Sequence, residues 1–300
     1  MDGYLTIADY IKGEAKAIEE ELKRSFDRME MPPILKESML YSLMAGGKRL
    51  RPILVLAAAA ALNGKKDAAL PAACAVEMVH TYSLIHDDLP ALDNDDYRRG
   101  KLTNHKVFGE AMAIMAGDGL LTHAFALIPK MFSRFGVPAE QCLAIVADLA
   151  LLAGPSGMVG GQVADLQGEQ GQTTGEELDY IHTHKTGDMI VFSLKAGARS
   201  AGAGDEHLLA LEKFGYAIGL AFQIQDDILD LTGDEDKLGK PLGSDEKMMK
   251  VTYPYLYGIE ASQKKVEELT QTAKQAILAA GFPFPDKLLA LADYLMKRDH

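Results

Sequence analysis

Residues 71–93 read PAACAVEMVHTYSLIHDDLPALD, a largely apolar run that ends in a cluster of aspartates. A helix that begins at Pro71 and runs to about Leu89 would be roughly 27 Å long, because an α-helix rises about 1.5 Å per residue. Proline suits the first turn of a helix, and the run lacks the alternation of a half-buried strand. The stretch therefore predicts a long buried helix that carries Asp87 and Asp88 at its carboxyl end.

The rest of the chain repeats this helical character. Ile53–Leu62 is apolar on every side, which predicts a buried central helix with Pro52 in its first turn. Further long helices are predicted over Ala111–Ile128, Gln141–Ala153 and His207–Leu231. Glycine and proline separate these helices, and no long linker divides them. We therefore predict one all-α domain over residues 1–300.

The composition excludes several classes of protein. A net charge of -12 argues against general nucleic-acid binding, because contact with the phosphate backbone requires a broad basic surface. Cys74 and Cys142 each lie in an apolar stretch, so we expect two buried thiols rather than a disulfide framework. The amino terminus lacks a secretory signal pattern, and the uninterrupted apolar runs are too short to cross a bilayer. These features predict a cytoplasmic protein without a membrane span.

A second acidic cluster lies near the end of the helix predicted over His207–Leu231. Four polar side chains at i, i+3, i+4 and i+7 would share one face of it: Gln223, Asp226, Asp227 and Asp230. A solvated surface face is the alternative, but the stripe has no basic partner and the helix around it is apolar. Carboxylates this close repel one another unless cations lie between them. Oxygen ligands suit Mg²⁺, so the stripe predicts a magnesium site.

The first cluster needs a break in its helix to become a site. In a continuous helix Asp93 would lie about 120° around the axis from Asp87. Pro90 disfavours helical geometry at Leu89, so we predict that the chain turns back there and brings Asp93 beside Asp87. A calcium loop is the alternative, but the central glycine and closing glutamate of an EF-hand are missing.

Basic residues flank the first cluster and an earlier glycine pair. Arg98 and Arg99 follow the aspartates, and neighbours on a helix diverge by about 100°, so we predict that they bind two different anions. Gly47 would let backbone N–H groups approach a phosphate. Lys48 and Arg51 are three residues apart, as on one helix face. Together these residues predict a site for phosphate groups.

Three further candidates are weaker when taken alone. His80 lies seven residues before Asp87 and therefore on the same helix face. Lys185 and the neighbouring Thr186 offer a cation and a hydroxyl next to each other. Lys240 lies in Thr232–Lys250, a glycine-rich and charged segment that we expect to act as a lid over a site.

Taken together, these motifs resemble those of the trans-prenyltransferase family. Residues 80–100 resemble its first aspartate-rich motif and residues 222–230 resemble its second. Gly46–Pro52, Lys185-Thr186 and Lys240 resemble the family's other signatures and occur in the same order along the chain. The resemblance implies an isoprenoid-synthase-type helical bundle around a central cavity, usually as a homodimer. It also implies condensation of isopentenyl diphosphate with dimethylallyl and geranyl diphosphates to give (E,E)-farnesyl diphosphate.

The resemblance further implies a role for each motif residue. Two Mg²⁺ ions would bind Asp87 and Asp93 and a third would bind Asp226, supported by Asp88, Asp227 and Asp230. The allylic diphosphate would be held by Arg98, Lys185 and Lys240. Isopentenyl diphosphate would be held by Gly47, Lys48, Arg51, His80 and Arg99. Oxygen dipoles that stabilise the allylic cation would come from Thr186 and Gln223. Product length would be limited by a floor at Tyr82 and its neighbour Ser83.

Three alternatives remain at this stage. The product could be geranyl or geranylgeranyl diphosphate. A terpene cyclase could use the same fold, but this chain has both aspartate motifs and cations for a second diphosphate. A non-catalytic partner subunit would lack part of the acidic or basic set, and here the set is complete.

Overall fold

The computed structural model describes residues 6–27, 29–168, 173–232 and 251–296, and these residues fold mainly into helices. A π-helical segment spans His182–Gly187. The elements in chain order are α1 (Ile7–Arg24), α2 (Pro33–Leu43), α3 (Leu50–Ala61), α4 (Lys66–Asp87), β1 (Tyr97–Arg98), β2 (Lys101–Leu102), α5 (Asn104–Phe108), α6 (Glu110–Leu127), α7 (Pro129–Phe135), α8 (Ala139–Ala153), α9 (Met158–Gly168), α10 (Gly175–Ile181), α11 (Asp188–Ser200), α12 (Asp205–Thr232), α13 (Tyr253–Tyr257), α14 (Ile259–Ala279) and α15 (Asp286–Met296).

The prediction of an all-α fold is confirmed, and so are the long helices on which it rested. The apolar helix α3 is buried, as predicted, and packs on both α4 and α11. Helix α11 packs in turn on α12, while α6 covers the other side of α4. Helices α4 and α12, which carry the two acidic clusters, therefore belong to one packed bundle. Their side chains bury extensive apolar surface, the main favourable term in folding.

The predicted start of α4 was wrong. The helix begins at Lys66 rather than Pro71, so the proline lies in its second turn. There its ring removes one helical hydrogen bond, the bond that an N–H at this position would donate to the carbonyl oxygen of Asp67. Ala68 and Ala69, in the turn before it, are buried in the core. Their packing extends the helix past the position that local sequence favours.

A short antiparallel hairpin, β1–β2, was not predicted. Tyr97 pairs with Leu102 and Arg98 with Lys101. Arg99 and Gly100 form the turn with φ of 53° and 74°, and two positive φ values match the twist of a tight hairpin. Arg98 and Arg99 do diverge in direction, but the helix on which we based that prediction is absent at these residues.

Apolar helices also bear on the prediction that the chain lacks a membrane span. By length and composition alone, three helical stretches could cross a membrane: Lys66–Asp87, Glu110–Phe135 and Ala139–Gly168. In the first, 78% of the apolar window is buried inside the protein, so packing in the bundle accounts for its hydropathy. The other two are 44% and 39% buried and keep apolar side chains on the surface.

Candidate functional site

The first acidic cluster turns back on itself, as predicted. Helix α4 ends at Asp87, and Asp88 caps it. The backbone N–H of Asp93 donates to the carbonyl oxygen of Asp87 at 2.9 Å, and Asn94 donates to Leu89 in the same way at 3.1 Å. These hydrogen bonds close the loop that contains Pro90. The break therefore places Asp93 next to Asp87, which confirms the geometric part of the prediction.

Asp88 lies against Arg98. The Nε atom of Arg98 donates to Oδ1 of Asp88 at 2.7 Å, and Nη2 lies 2.6 Å from the same oxygen. Burial raises the pKa of Asp88, although Arg98 opposes that shift. Burial acts to lower the pKa of Arg98, but the hydrogen bond and charge of Asp88 outweigh it and raise the value. The hairpin thus delivers a guanidinium group to the end of α4.

Two polar residues of α9 belong to the site and were missed from the sequence. Nε2 of Gln162 donates to Oδ1 of Asp87, and Nζ of Lys185 lies 2.6 Å from Oδ2 of Asp165. Gln162 and Asp165 are three residues apart on α9 and so point in similar directions. That spacing within a glycine-rich apolar helix is the signal that could have identified them.

The π-helical segment presents Lys185 and Thr186 at close contact with α9. A Cβ atom at Gly161 would lie 2.3 Å from the backbone nitrogen of Lys185, so only glycine permits this approach. Thr186 is buried. A π-helix is rare and often marks a functional site, because its wider turn redirects side chains. Here it positions two predicted substrate-binding residues.

The second acidic cluster lies on a continuous helix, so the predicted shared face is confirmed. Oδ2 of Asp227 accepts a hydrogen bond from the backbone N–H of Tyr253 at 2.9 Å and lies 3.5 Å from Nε2 of His182. Asp230 is buried, whereas Gln223 and Asp226 are partly exposed. Asp227 therefore ties α12 to the π-helical segment and to α13.

Contacts through α9 and the π-helical segment link the two acidic clusters. Each contact joins neighbouring elements in turn: Asp87 to Gln162, Asp165 to Lys185, and His182 to Asp227. Within the part of the chain that the structure describes, no three His, Cys, Asp or Glu side chains converge on a metal position. The predicted ligands are all carboxylates, a donor type that fits Mg²⁺ shared between one or two carboxylates and phosphate groups.

A separate cationic region lies between Gly46–Pro52 and the hairpin. Nη1 of Arg99 donates to the carbonyl oxygen of Gly46, and a Cβ atom at Gly47 would lie 2.6 Å from Cζ of Arg99. Gly47 has φ of 116°, a value that also favours glycine. Nε of Arg51 is buried and has no hydrogen-bond partner among the residues described. Buried donors without a partner are rare in folded proteins, so this one favours a role for Arg51 in binding a ligand.

His80 lies beside this cationic region. Burial and the charges of Arg51 and Arg99 lower its pKa well below the usual value. The neutral ring can therefore donate a hydrogen bond at physiological pH without adding to the local positive charge.

Of the predictions made for basic residues, one is corrected by the structure and another concerns a residue outside the described part of the chain. Helix α3 begins at Leu50, so Lys48 precedes it, and the shared helix face proposed for Lys48 and Arg51 was wrong. The glycine pair before them interrupts the helix by its positive φ values. Lys240 and nearly all of the predicted lid Thr232–Lys250 lie outside the described residues.

Tyr82, predicted to limit product length, is 8% exposed and meets the ring of His86 edge-on, with centroids 5.7 Å apart. Nε2 of His86 lies 3.2 Å from the carbonyl oxygen of Ile114 on α6. A Cβ atom at Gly117 would lie 2.1 Å from that nitrogen, so α6 closely confines His86. The hydroxyl of Ser83 donates to the carbonyl oxygen of His80.

Comparison with known proteins gives a consistent result. The family described as Polyprenyl synthetase matches residues 32–279. A farnesyl diphosphate synthase of Geobacillus stearothermophilus is 48% identical and covers 99% of both chains. A geranylgeranyl diphosphate synthase of Cyanophora paradoxa is 45% identical over 97% of this chain and 96% of its own. The crystal structure of a geranyltransferase from Legionella pneumophila superposes with a TM-score of 0.85 at 34% identity, covering 97% of each chain.

Proposed function

Because the chain belongs to the polyprenyl synthetase family, we propose that it condenses isopentenyl diphosphate with dimethylallyl and then geranyl diphosphate, giving (E,E)-farnesyl diphosphate. It is a prenyltransferase with an all-α isoprenoid-synthase-type fold. The observation that carries the proposal is the presence of two cationic regions, one on each side of the Arg98-Arg99 pair. Arg98 contacts Asp88 and Lys185 contacts Asp165, whereas Arg99 contacts Gly46 and Gly47 and interacts with the charge of Arg51. A coupling enzyme must hold two diphosphates at once.

Magnesium would be held by Asp87, Asp93 and Asp226, with three ions expected when diphosphate is bound. When present, it neutralises the leaving diphosphate and stabilises its oxygen, an effect worth several kcal/mol. Asp88, Asp227 and Asp230 would support these ligands. The contacts of Asp88 with Arg98 and of Asp227 with Tyr253 show that these two carboxylates already fix neighbouring elements.

The remaining residues position the substrates. Arg98 and Lys185, with Lys240 from outside the described residues, would hold the allylic diphosphate by charge-assisted hydrogen bonds. Isopentenyl diphosphate would bind Gly47, Lys48, Arg51, His80 and Arg99. Holding the two reactants in contact contributes up to about 7–11 kcal/mol. The oxygens of Thr186 and Gln223 would face the developing allylic cation, and the proton lost in the last step would go to the released diphosphate.

One assay tests this proposal directly. The purified protein is incubated with dimethylallyl and isopentenyl diphosphates and Mg²⁺, and product length is read by mass spectrometry. We expect farnesyl diphosphate as the main product, loss of activity with EDTA and recovery when Mg²⁺ is restored. A mainly ten- or twenty-carbon product would contradict the assignment of chain length. A cyclised hydrocarbon, or no condensation at all, would contradict the proposed reaction.

We also propose that two copies associate through the outer faces of α6 and α8. Leu143 is 69% exposed and Leu151 is 59% exposed, and Ile114 and Met115 are exposed on α6. Exposed apolar surface of this extent on two helices is typical of an interaction site. Two free, buried cysteines agree with a protein of the reducing cytoplasm, where we propose that the enzyme works.

We expect the wild-type protein to sediment at twice its chain mass of 32.5 kDa. Leu151→Glu should shift it toward the monomer, because a buried unpaired carboxylate is costly at an apolar interface. Leu209→Glu, at a leucine on α12 that is equally exposed, is the matched control and should leave the dimer intact. A wild-type monomer at micromolar concentration, or a dimer unchanged by Leu151→Glu, would contradict the proposed surface.

A further inference from the structure

Arg49 differs from the basic residues around it because its side chain is directed into the protein. It lies between Lys48, which is exposed, and Arg51, yet it is only 2% exposed. Its Nη1 lies 2.6 Å from Oε1 of Glu77, and its Nη2 lies 3.2 Å from Oε1 of Glu19. Nη2 also donates to the carbonyl oxygen of Leu43 at 2.7 Å. The guanidinium group is therefore fully engaged and unavailable to a substrate.

The backbone at Arg49 also requires an anchor. Arg49 has φ of 51°, and it follows Gly46 and Gly47 with φ of 94° and 116°. A residue with a side chain rarely adopts this left-handed conformation unless its surroundings fix it. Arg49 is the residue that caps the start of α3. Its contacts with Glu77, Glu19 and the Leu43 carbonyl thus hold the loop in the conformation that places Gly47 against Arg99.

Glu77 connects this anchor to the cationic region. It is 2% exposed on α4 and precedes His80 by three residues, so the two side chains lie on one face of the helix. Burial lowers the pKa of Arg51 and of Arg99, and the negative charge of Glu77 opposes the shift in both. One buried carboxylate therefore fixes Arg49 and also lies in the field of the two arginines that would bind substrate.

We propose that Arg49, held by Glu77, is a positioning residue for isopentenyl diphosphate. It sets the loop Gly46–Pro52 against Arg99 without touching the substrate itself. The proposal rests on the proposed function, because that function assigns Gly47, Lys48 and Arg51 to this substrate. It predicts a selective effect: loss of the anchor weakens binding at this site. The allylic site keeps its affinity, because Arg98 is held by Asp88 and Lys185 by Asp165 rather than by Arg49 or Glu77.

The test uses Arg49→Lys in the full-length enzyme. Lysine retains the positive charge but cannot contact Glu77, Glu19 and the Leu43 carbonyl together, since it lacks the planar fork of arginine. We expect the KM for isopentenyl diphosphate to rise by about tenfold, while the KM for geranyl diphosphate and kcat change by less than about threefold. Arg199→Lys is the matched control, because Arg199 forms a half-buried ion pair with Asp148 between α11 and α8. It should leave both KM values unchanged.

A second variant and a direct binding measurement distinguish failure of the Arg49 proposal from failure of the proposed function. Glu77→Gln keeps the size of the side chain and removes its charge, and it should produce the same selective rise in KM. Calorimetric titration of isopentenyl diphosphate into wild type and Arg49→Lys should show a matching loss of affinity. This titration still tests the anchor if the wild-type protein binds the ligand but performs no condensation, a result that would contradict only the proposed function. Folded variants with equal changes for both substrates, or with lower melting temperature and unchanged KM, would overturn the proposal.

Discussion

Replacing Asp87 with alanine is expected to lower kcat by about a thousandfold, with a much smaller change in substrate binding. Asp87 ends α4, bonds Gln162 through its side chain and accepts the Asp93 backbone N–H through its carbonyl oxygen. Its carboxylate is proposed to hold magnesium against the leaving diphosphate. The interaction that Asp87 would support in this way would strengthen as the allylic C–O bond breaks, because negative charge grows on the leaving oxygen. Loss of a contact that strengthens in the transition state reduces kcat more than affinity.

The measurement is steady-state kinetics of Asp87→Ala with geranyl and isopentenyl diphosphates at saturating Mg²⁺. Asp286→Ala is the control, because Asp286 is an exposed aspartate in the first turn of α15, away from both clusters. Circular dichroism establishes that both variants remain helical. Wild-type turnover by Asp87→Ala at saturating metal and substrate would refute the role given to the first cluster.

The acidic clusters could be predicted because their geometry is local. Asp226 and Asp230 lie on one continuous helix, where spacing alone sets direction. The return of Asp93 to Asp87 depends on α4 ending shortly before Pro90, which the conformational restriction that proline imposes on the preceding residue makes predictable. The presence of the long helices and their approximate bounds could also be predicted, because they follow from the local pattern of apolar residues.

The missed features depend on contacts between distant segments. Asp88 pairs with Arg98 because the β1–β2 hairpin forms. Each of its strands has only two residues, too few to show the alternation of apolar and polar side chains that predicts a strand. The π-helical segment requires the close approach of α9 at Gly161, which no periodicity within residues 182–187 reveals. The burial of Arg49 against Glu77 joins residues 28 positions apart, and nothing in the sequence around Arg49 indicates it. In each case tertiary packing decided the result.

Tyr82→Ala should change the product rather than the chemistry. Tyr82 lies five residues before Asp87, about 7.5 Å along α4 from the proposed diphosphate site. Burial raises the pKa of its phenol, which agrees with an apolar setting. We expect the ratio of twenty- to fifteen-carbon product to rise by at least about tenfold, because removing the ring leaves a cavity that one more prenyl unit can enter. The KM for isopentenyl diphosphate should remain close to that of wild type.

The size of the ring, rather than its hydroxyl group, should decide the product, and Tyr82→Phe separates the two. Phenylalanine keeps the ring that meets His86 edge-on, and His86 is itself confined by Gly117 and the Ile114 carbonyl of α6. The floor should therefore stay closed, and the product should remain at fifteen carbons. A longer product from Tyr82→Phe would assign the limit to the hydroxyl group instead. A folded, active Tyr82→Ala that makes only the fifteen-carbon product would show that the floor lies elsewhere. Because a buried aromatic-to-alanine change costs about 3–5 kcal/mol of stability, both variants should be compared well below their melting temperatures.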